Sequence, residues 1–217
     1  MASHYDTLKR LLESKLVAVV RLDSGEQLLK VAEALREGGI DIIEFTVSTP
    51  GALDMVKQAT TRFGDEVLIG AGTVLDPETA RASILAGAEF VVTPTLKLAT
   101  IEVCKRYGKP IIPGAFTPTE ILTAWEAGAD MVKVFPASVA GPDYLKAILA
   151  PLPQLRLVPT GGVSAENAAA FIKAGAAALG VGGKLVDKKA VARGDWAALT
   201  AEAQALVTIV REAGKVQ

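Results

Sequence analysis

The sequence has few of the residues that most often build metal and redox sites. Its 217 residues include one cysteine, Cys104, and one histidine, His4. A single cysteine forms no internal disulfide and no thiolate cluster, so we predict Cys104 to be a buried thiol on a helix. His4 lies close to the start of the sequence, where we expect frayed chain and therefore no histidine base or metal ligand. We predict chemistry without a metal and without a cofactor.

The sequence also lacks an excess of one charge and a long hydrophobic run. Lysine and arginine total 23, aspartate and glutamate total 24, and the net charge is −1. Because no broad field of one sign is available, we predict neither a nucleic acid nor a membrane as partner. The apolar run 16–20 is too short for a membrane span, and acidic residues follow it instead of a small-residue cleavage site. We expect a cytoplasmic protein.

Half of the residues are hydrophobic, in short β-branched runs that alternate with longer amphipathic segments. That alternation is typical of parallel βα units. We predict eight strands, at residues 17–21, 40–47, 67–70, 90–94, 110–113, 131–135, 156–160 and 178–181. The pattern and the length predict an α/β fold, a (β/α)₈ barrel in a single domain covering residues 1–217, with an N-terminal helix at about residues 5–15.

A glycine recurs at the end of four predicted helices. Gly39, Gly87, Gly128 and Gly175 precede the second, fourth, sixth and eighth strands. Glycine suits the left-handed residue that ends a helix, and its recurrence favours a barrel built from (βα)₂ units. The alternative is ordinary helix capping at each site.

A lysine interrupts the apolar alternation of the sixth predicted strand. Met131, Lys133 and Phe135 share one face of that strand, which in a parallel barrel can point to the packed interior. An ammonium without a partner is costly there, which favours the neutral amine that a nucleophile needs. The alternative is a lysine that is paired with a carboxylate or that reaches solvent from the strand end.

A glutamate lies near the end of the second predicted strand. Glu44 shares its face with Ile42 and Thr46. Catalytic groups of these barrels come from the carboxyl ends of several strands, so this carboxylate can meet Lys133. The alternative is a structural ion pair between the two residues.

Glycine pairs follow the last two predicted strands. Gly161 and Gly162 follow the seventh, and Gly182 and Gly183 follow the eighth. Barrels of this kind bind phosphate at these loops through backbone N–H groups and a helix N-terminus. Lys184 adds charge to this predicted phosphate site, unless it is a solvated surface lysine. Residues 180–183 lack the second half of a dinucleotide fingerprint.

Other strand ends complete the predicted pocket. Gly70 and Gly72 would let a ligand approach the third strand, beside the hydroxyl of Thr73. Pro94 and Phe135 would shape a tight, partly apolar wall. The alternative for all of these residues is packing within the barrel.

Together these motifs resemble the 2-keto-3-deoxy-6-phosphogluconate (KDPG) aldolase family, also described as 4-hydroxy-2-oxoglutarate (KHG) aldolases. The likeness covers nearly the whole chain. It is carried by Gly39 and by IEFT at 43–46, IGAGTV at 69–74, VTP at 92–94, IPG at 112–114, KVFPA at 133–137 and PTGGV at 159–163.

The resemblance implies a role for each candidate residue. Lys133 would form a Schiff base with a 2-keto acid, and Glu44 would move protons through a bound water. The substrate would meet Thr73, Pro94, Phe135 and Thr160, and its phosphate would meet Gly161, Gly162, Gly182 and Gly183. The family is typically a cytoplasmic homotrimer.

Two positions depart from the family's best-known pattern, which has arginine at Ser48 and serine at Lys184. Loss of the arginine removes a carboxylate anchor, which Arg21 at the end of the first strand can replace in space. Lys184 keeps phosphate binding possible. Thr160 resembles the phosphogluconate branch of the family, because the phosphogalactonate branch tends to carry an apolar residue there.

The expected function is a class I aldolase that cleaves 2-dehydro-3-deoxy-6-phosphogluconate (KDPG) to pyruvate and D-glyceraldehyde 3-phosphate. One alternative is cleavage of 4-hydroxy-2-oxoglutarate to pyruvate and glyoxylate, and another is the 2-dehydro-3-deoxy-6-phosphogalactonate reaction. A non-catalytic trimeric scaffold or phosphate-binding module is the alternative from another class.

Overall fold

The computed structural model of the protein describes residues 3–23 and 25–215, in which strands and helices alternate. The strands are β1 (Leu16–Val20), β2 (Ile42–Thr46), β3 (Leu68–Gly72), β4 (Phe90–Val92), β5 (Ile111–Ile112), β6 (Gly114–Ala115), β7 (Val132–Val134), β8 (Leu157–Pro159) and β9 (Leu179–Val181). The helices are α1 (His4–Ser14), α2 (Leu28–Glu37), α3 (Ala52–Phe63), α4 (Pro77–Leu85), α5 (Leu98–Arg106), α6 (Pro118–Glu126), α7 (Ala137–Leu149), α8 (Ala165–Lys173), α9 (Lys188–Arg193) and α10 (Trp196–Gly214).

The strands form a parallel (β/α)₈ barrel, which confirms the predicted fold class. One sheet has the order β5-β4-β3-β2-β1-β9 and the other has the order β6-β7-β8. Two joints close the ring. Pro113 alone separates β5 from β6, and Thr160 after β8 forms a parallel bridge with Gly180 in β9. The fifth strand was predicted to end at residue 113; instead the chain resumes as β6 after Pro113, which interrupts the ladder because proline has no N–H group.

The other predicted strands occur with shifted ends. The first ends at Val20 instead of residue 21, and the third continues to Gly72. The second begins at Ile42 instead of residue 40, because the N–H group of Ile40 donates to the carbonyl of Leu35 at 2.9 Å and closes α2. These ends depend on bonds to neighbouring elements, which a pattern along one segment does not contain.

The recurring glycines have the predicted left-handed backbone. The φ angles are 90° at Gly39, 111° at Gly87, 90° at Gly128 and 97° at Gly175. Gly108, before β5, also has a positive φ of 62°. The helix before it ends in the same way, with the N–H group of Lys109 donating to the carbonyl of Cys104. A left-handed glycine therefore ends helices before strands other than every second one. Its recurrence supports a barrel built from (βα)₂ units less than we expected.

Apolar side chains pack against both faces of the strands. The larger cluster lies between the strands and the outer helices. A smaller cluster fills the barrel interior and includes Ile42, Phe90 and Met131. Because side chains alternate along a strand, the residues two positions after Ile42 and Met131 also face the interior, nearer the carboxyl ends of the strands. Those residues are Glu44 and Lys133.

Helix α1 covers the amino-terminal end of the barrel. Its Leu11 is fully buried and belongs to the interior cluster. His4, which we expected in frayed chain, begins this helix, and its Nε2 lies 2.7 Å from Oδ1 of Asp130. Within the described residues no helix has the length and apolarity that crossing a bilayer requires.

Candidate active site

Lys133 lies at the centre of β7 and is only 5% exposed. Its strand neighbours are Gly114 in β6 and Val158 in β8. Its Nζ lies 5.2 Å from the centre of the Phe135 ring. Among the described residues it forms no ion pair with a carboxylate, which argues against a lysine that is held only by a structural ion pair.

Glu44 in β2 is 1% exposed, and its Oε1 has no hydrogen-bond partner within the described chain. Burial raises the pKa of this carboxyl, and the nearby charges of Lys133 and Arg21 oppose that rise. A carboxyl that holds its proton more tightly than usual is suited to general acid and base catalysis near neutral pH. Glu44 and Lys133 interact electrostatically, but they do not form a direct ion pair.

Glycines in β3 make room for this arrangement. A Cβ at Gly72 would lie 1.5 Å from Oε1 of Glu44, and a Cβ at Gly70 would lie 2.4 Å from the Phe90 ring. We expected these glycines to admit a ligand to the backbone. That interpretation is wrong for both, because the space is filled by Glu44 and Phe90 of the neighbouring strands.

A cavity of about 700 Å³ opens at the carboxyl ends of the strands. It brings together every predicted site residue except Glu44, which is buried outside the cavity lining. Those lining residues are Arg21, Thr73, Pro94, Lys133, Phe135, Thr160, Gly161, Gly162, Gly182, Gly183 and Lys184. Six further residues that we did not predict also line the cavity, and these are Val19, Val163, Val186, Asp187, Lys188 and Lys189. For Asp187, Lys188 and Lys189, the available signal was a charged run at the start of a short helix that follows β9 and its glycine loop.

Arg21 and Thr73 meet at one side of the cavity. Nη2 of Arg21 donates a hydrogen bond to Oγ1 of Thr73 at 3.1 Å. Thr73 has a φ of 59°, an unusual backbone conformation for a β-branched residue. Ser48, where the family pattern has arginine, is exposed and does not line the cavity. Arg21 is therefore the guanidinium available to a substrate carboxylate there.

The loop after β8 lines the same cavity and is held in a fixed shape by backbone hydrogen bonds. Gly161 and Gly162 have φ angles of 86° and 82°. The carbonyls of Thr160 and Gly161 accept hydrogen bonds from Ala137 and Ser138, each at 2.8 Å. A Cβ at Gly162 would lie 2.6 Å from that of Ser138. The turn therefore requires glycine and leaves a concave backbone surface that suits an anion.

Helix α9 begins at the same end of the cavity, but its N-terminus already has an acceptor. Oδ1 of Asp187 accepts hydrogen bonds from the N–H groups of Lys189 at 2.7 Å and Ala190 at 2.9 Å. We expected a helix N-terminus to assist phosphate binding here. The carboxylate of Asp187 takes that place.

Other candidate groups lie away from the cavity. Cys104 is buried on α5 as predicted, and burial together with the charge of Asp130 raises the pKa of its thiol to about 12. Such a thiol is inert at neutral pH. In the described part of the chain, no three residues among histidine, cysteine, aspartate and glutamate are grouped so that they could hold a metal ion.

Comparison with known proteins agrees with this geometry. The family model described as "KDPG and KHG aldolase" matches residues 8–202. The chain is 39% identical to the 2-dehydro-3-deoxy-phosphogluconate aldolase of Pseudomonas aeruginosa, over 88% of this chain and 86% of that protein. It is 38% identical to the 2-dehydro-3-deoxy-6-phosphogalactonate aldolase of Escherichia coli strain K12, over 78% of this chain and 83% of that protein.

A solved structure adds a chemical detail. The KDPG aldolase of Legionella pneumophila, with pyruvate captured as a covalent carbinolamine intermediate, superposes with a TM-score of 0.84 at 30% identity. The match covers 92% of this chain and 97% of that one. By sequence and by fold, the chain belongs to the KDPG and KHG aldolase family.

Proposed function

We propose that the protein is a class I aldolase that cleaves 2-dehydro-3-deoxy-6-phosphogluconate (KDPG) to pyruvate and D-glyceraldehyde 3-phosphate. The observation that carries the proposal is Lys133, a nearly buried amine that has no ion pair within the described residues and that lines a substrate-sized cavity. The relatives' activities support it, and so does the covalent pyruvate adduct of the Legionella enzyme.

The reaction begins at the amine of Lys133. Its Nζ attacks the C2 ketone to give a carbinolamine, which loses water to form a protonated imine. The imine withdraws electrons from C3. The carboxylate of Glu44, directly or through a water, then removes the proton of the C4 hydroxyl. The C3–C4 bond breaks, its electron pair forms an enamine, and the aldehyde leaves.

The same carboxyl completes the cycle. Protonated Glu44 returns the proton to C3 of the enamine, which becomes the imine of pyruvate. Water hydrolyses that imine, releases pyruvate and restores the free amine of Lys133. A single carboxyl thus serves each proton transfer, and the rise in its pKa that burial causes favours the protonated form that returns the proton.

The cavity orients the substrate in the proposed complex. Arg21 and Thr73 bind the carboxylate beside the reacting ketone, and Pro94 and Phe135 line the pyruvate half. Thr160 lies near the cleavage point. The glycine loops and Lys184 bind the phosphate at the distal end. Because the chain is similar to the 2-dehydro-3-deoxy-6-phosphogalactonate aldolase of E. coli, cleavage of 2-dehydro-3-deoxy-6-phosphogalactonate is the second candidate reaction. The 4-hydroxy-2-oxoglutarate reaction is the unphosphorylated alternative.

The proposal extends to the assembly and its location. We infer a homotrimer from the family resemblance, and the exposed apolar side chains of Leu75, Leu98 and Val139 support self-association. A doubly charged phosphorylated substrate does not cross a bilayer unaided, which favours the cytoplasm as the place of action.

Trapping with borohydride tests the proposal. Sodium borohydride with pyruvate should leave one reduced adduct per chain, at Lys133, and Lys133→Ala should neither trap nor turn over. Pyruvate release should be measured with the phosphogluconate, phosphogalactonate and 4-hydroxy-2-oxoglutarate substrates, with and without a chelator. An adduct at Lys184, or activity that the chelator abolishes, would contradict the Schiff-base mechanism.

A further inference from the structure

The distal end of the cavity contains a negative charge that phosphate binding does not require. Asp187 is the one carboxylate among the described residues that line the cavity. The other charged lining residues are all cations: Arg21, Lys133, Lys184, Lys188 and Lys189. A phosphate that reaches the glycine loops and Lys184 therefore enters the field of a carboxylate.

That carboxylate is fixed and ionised. Its capping bonds to the N–H groups of Lys189 and Ala190 hold it at the start of α9. The same bonds keep the pKa of Asp187 below its usual range. Asp187 thus stays negative at every pH at which a phosphate ester is a dianion.

The three lysines at this end of the cavity do not stand as isolated positive charges. Nζ of Lys188, which lines the cavity, pairs with Oδ1 of Asp23 at 2.6 Å. Lys189 acts electrostatically on Asp187 itself, and Lys184 acts on Glu166. Each of the three lysines therefore has a carboxylate nearby before any substrate binds.

We propose that Asp187 is a specificity-determining residue that weakens the binding of a dianionic distal group relative to an uncharged one. The inference rests on the proposed aldolase function and concerns which 2-keto acids that site favours. Charges within about 8–10 Å of each other interact at physiological ionic strength, so a fixed carboxylate at this end repels a phosphate dianion. Loss of the charge should shift selectivity toward phosphorylated substrates.

The test is Asp187→Asn, because asparagine caps a helix about as well as aspartate and removes only the charge. The ratio of kcat/KM for KDPG to kcat/KM for its unphosphorylated counterpart should rise roughly 3- to 10-fold. Asp195→Asn is the matched control, because Asp195 caps α10 through the N–H group of Ala198 and lies outside the cavity lining. The control should leave the ratio at the wild-type value.

Binding of inorganic phosphate, measured by calorimetry, gives a readout that does not need turnover. Asp187→Asn should bind phosphate about 3- to 10-fold more tightly than wild type, and the difference should shrink in 1 M NaCl. Unchanged phosphate affinity and an unchanged substrate ratio would overturn the role of Asp187. A wild-type protein that binds phosphate but cleaves neither substrate would instead overturn the proposed function, with the phosphate measurement still deciding the inference.

Discussion

At the scale of single residues, the site keeps one carboxyl where its charge is unfavourable. Glu44 is almost completely buried and its Oε1 has no partner in the described chain. Its folded-state pKa is therefore raised above the ordinary value of 4.5. Between the ordinary pKa and the raised one, the folded protein binds more protons than the unfolded chain. The free energy of unfolding therefore falls as the pH rises through that window. Above it, the whole cost of the buried charge is present.

Replacement of Glu44 by glutamine should therefore separate catalysis from stability. Glu44→Gln removes the proton-transfer group, and kcat should fall roughly 10²- to 10⁴-fold. At pH 7–8 its Tm should rise by roughly 2–4 °C, the shift that about 1 kcal/mol produces in a domain of this size. The gain should disappear below the ordinary carboxyl pKa. Calorimetric melts across pH 4–8 check this, and a Tm below wild type at pH 8 would contradict it.

Thr73 is a second residue at which conformation and chemistry compete. Its left-handed backbone costs a β-branched residue about 1–3 kcal/mol, and its hydroxyl accepts a hydrogen bond from Arg21. Thr73→Gly should keep or raise the unfolding free energy, by up to about 1 kcal/mol, while kcat/KM falls. Thr73→Ser, which keeps the hydroxyl, should retain most activity. Urea unfolding and steady-state kinetics measure the two effects. Equal losses of kcat/KM in Thr73→Gly and Thr73→Ser would show that the hydroxyl does not contribute to substrate binding.

At the scale of strands and helices, local patterns predict the elements and neighbouring elements decide their details. Period-two alternation alone placed Glu44 and Lys133 on inward faces, since each follows an apolar interior residue by two positions. Nothing in that pattern shows that Gly72 exists to accommodate Glu44, because the contact depends on the register between β2 and β3. The cap of α9 by Asp187 was also missed, although an aspartate before a short charged helix is a local signal.

The packing of β2 against β3 makes a prediction at this scale. Gly72→Ala forces a methyl group into the Glu44 carboxylate and should cost roughly 1–3 kcal/mol of unfolding free energy. In a Glu44→Ala background the same substitution should cost much less, because the obstructing side chain is absent. Activity should be lost in both single variants and in the double variant. Urea unfolding of all four proteins gives the coupling energy, and an equal cost in both backgrounds would place the strain elsewhere.

At the scale of the whole molecule, apolar side chains are exposed along one rim of the barrel. Leu75 follows β3, Leu98 begins α5 after β4, and Val139 lies in α7 after β7. They are 56%, 52% and 73% exposed. The carboxyl ends of parallel strands lie at one end of a barrel, so these residues share the edge on which the cavity opens. The sequence does not show which apolar residues will be exposed on the same edge of the barrel. Single exposed leucines are common on protein surfaces, so composition alone does not indicate such a rim.

A rim of this kind is expected to be covered by other copies of the chain in the proposed homotrimer. A stable interface buries roughly 1,200–2,000 Å² and excludes charge from its centre, so an aspartate there is strongly unfavourable. Leu98→Asp with Val139→Asp should therefore shift the protein toward monomer in size-exclusion chromatography with light scattering. Leu85→Asp is the matched control, because Leu85 is 63% exposed but ends α4 at the opposite end of the barrel. The control should keep the wild-type mass. If Leu85→Asp dissociates the assembly while the double variant does not, the subunits meet through the other end of the barrel.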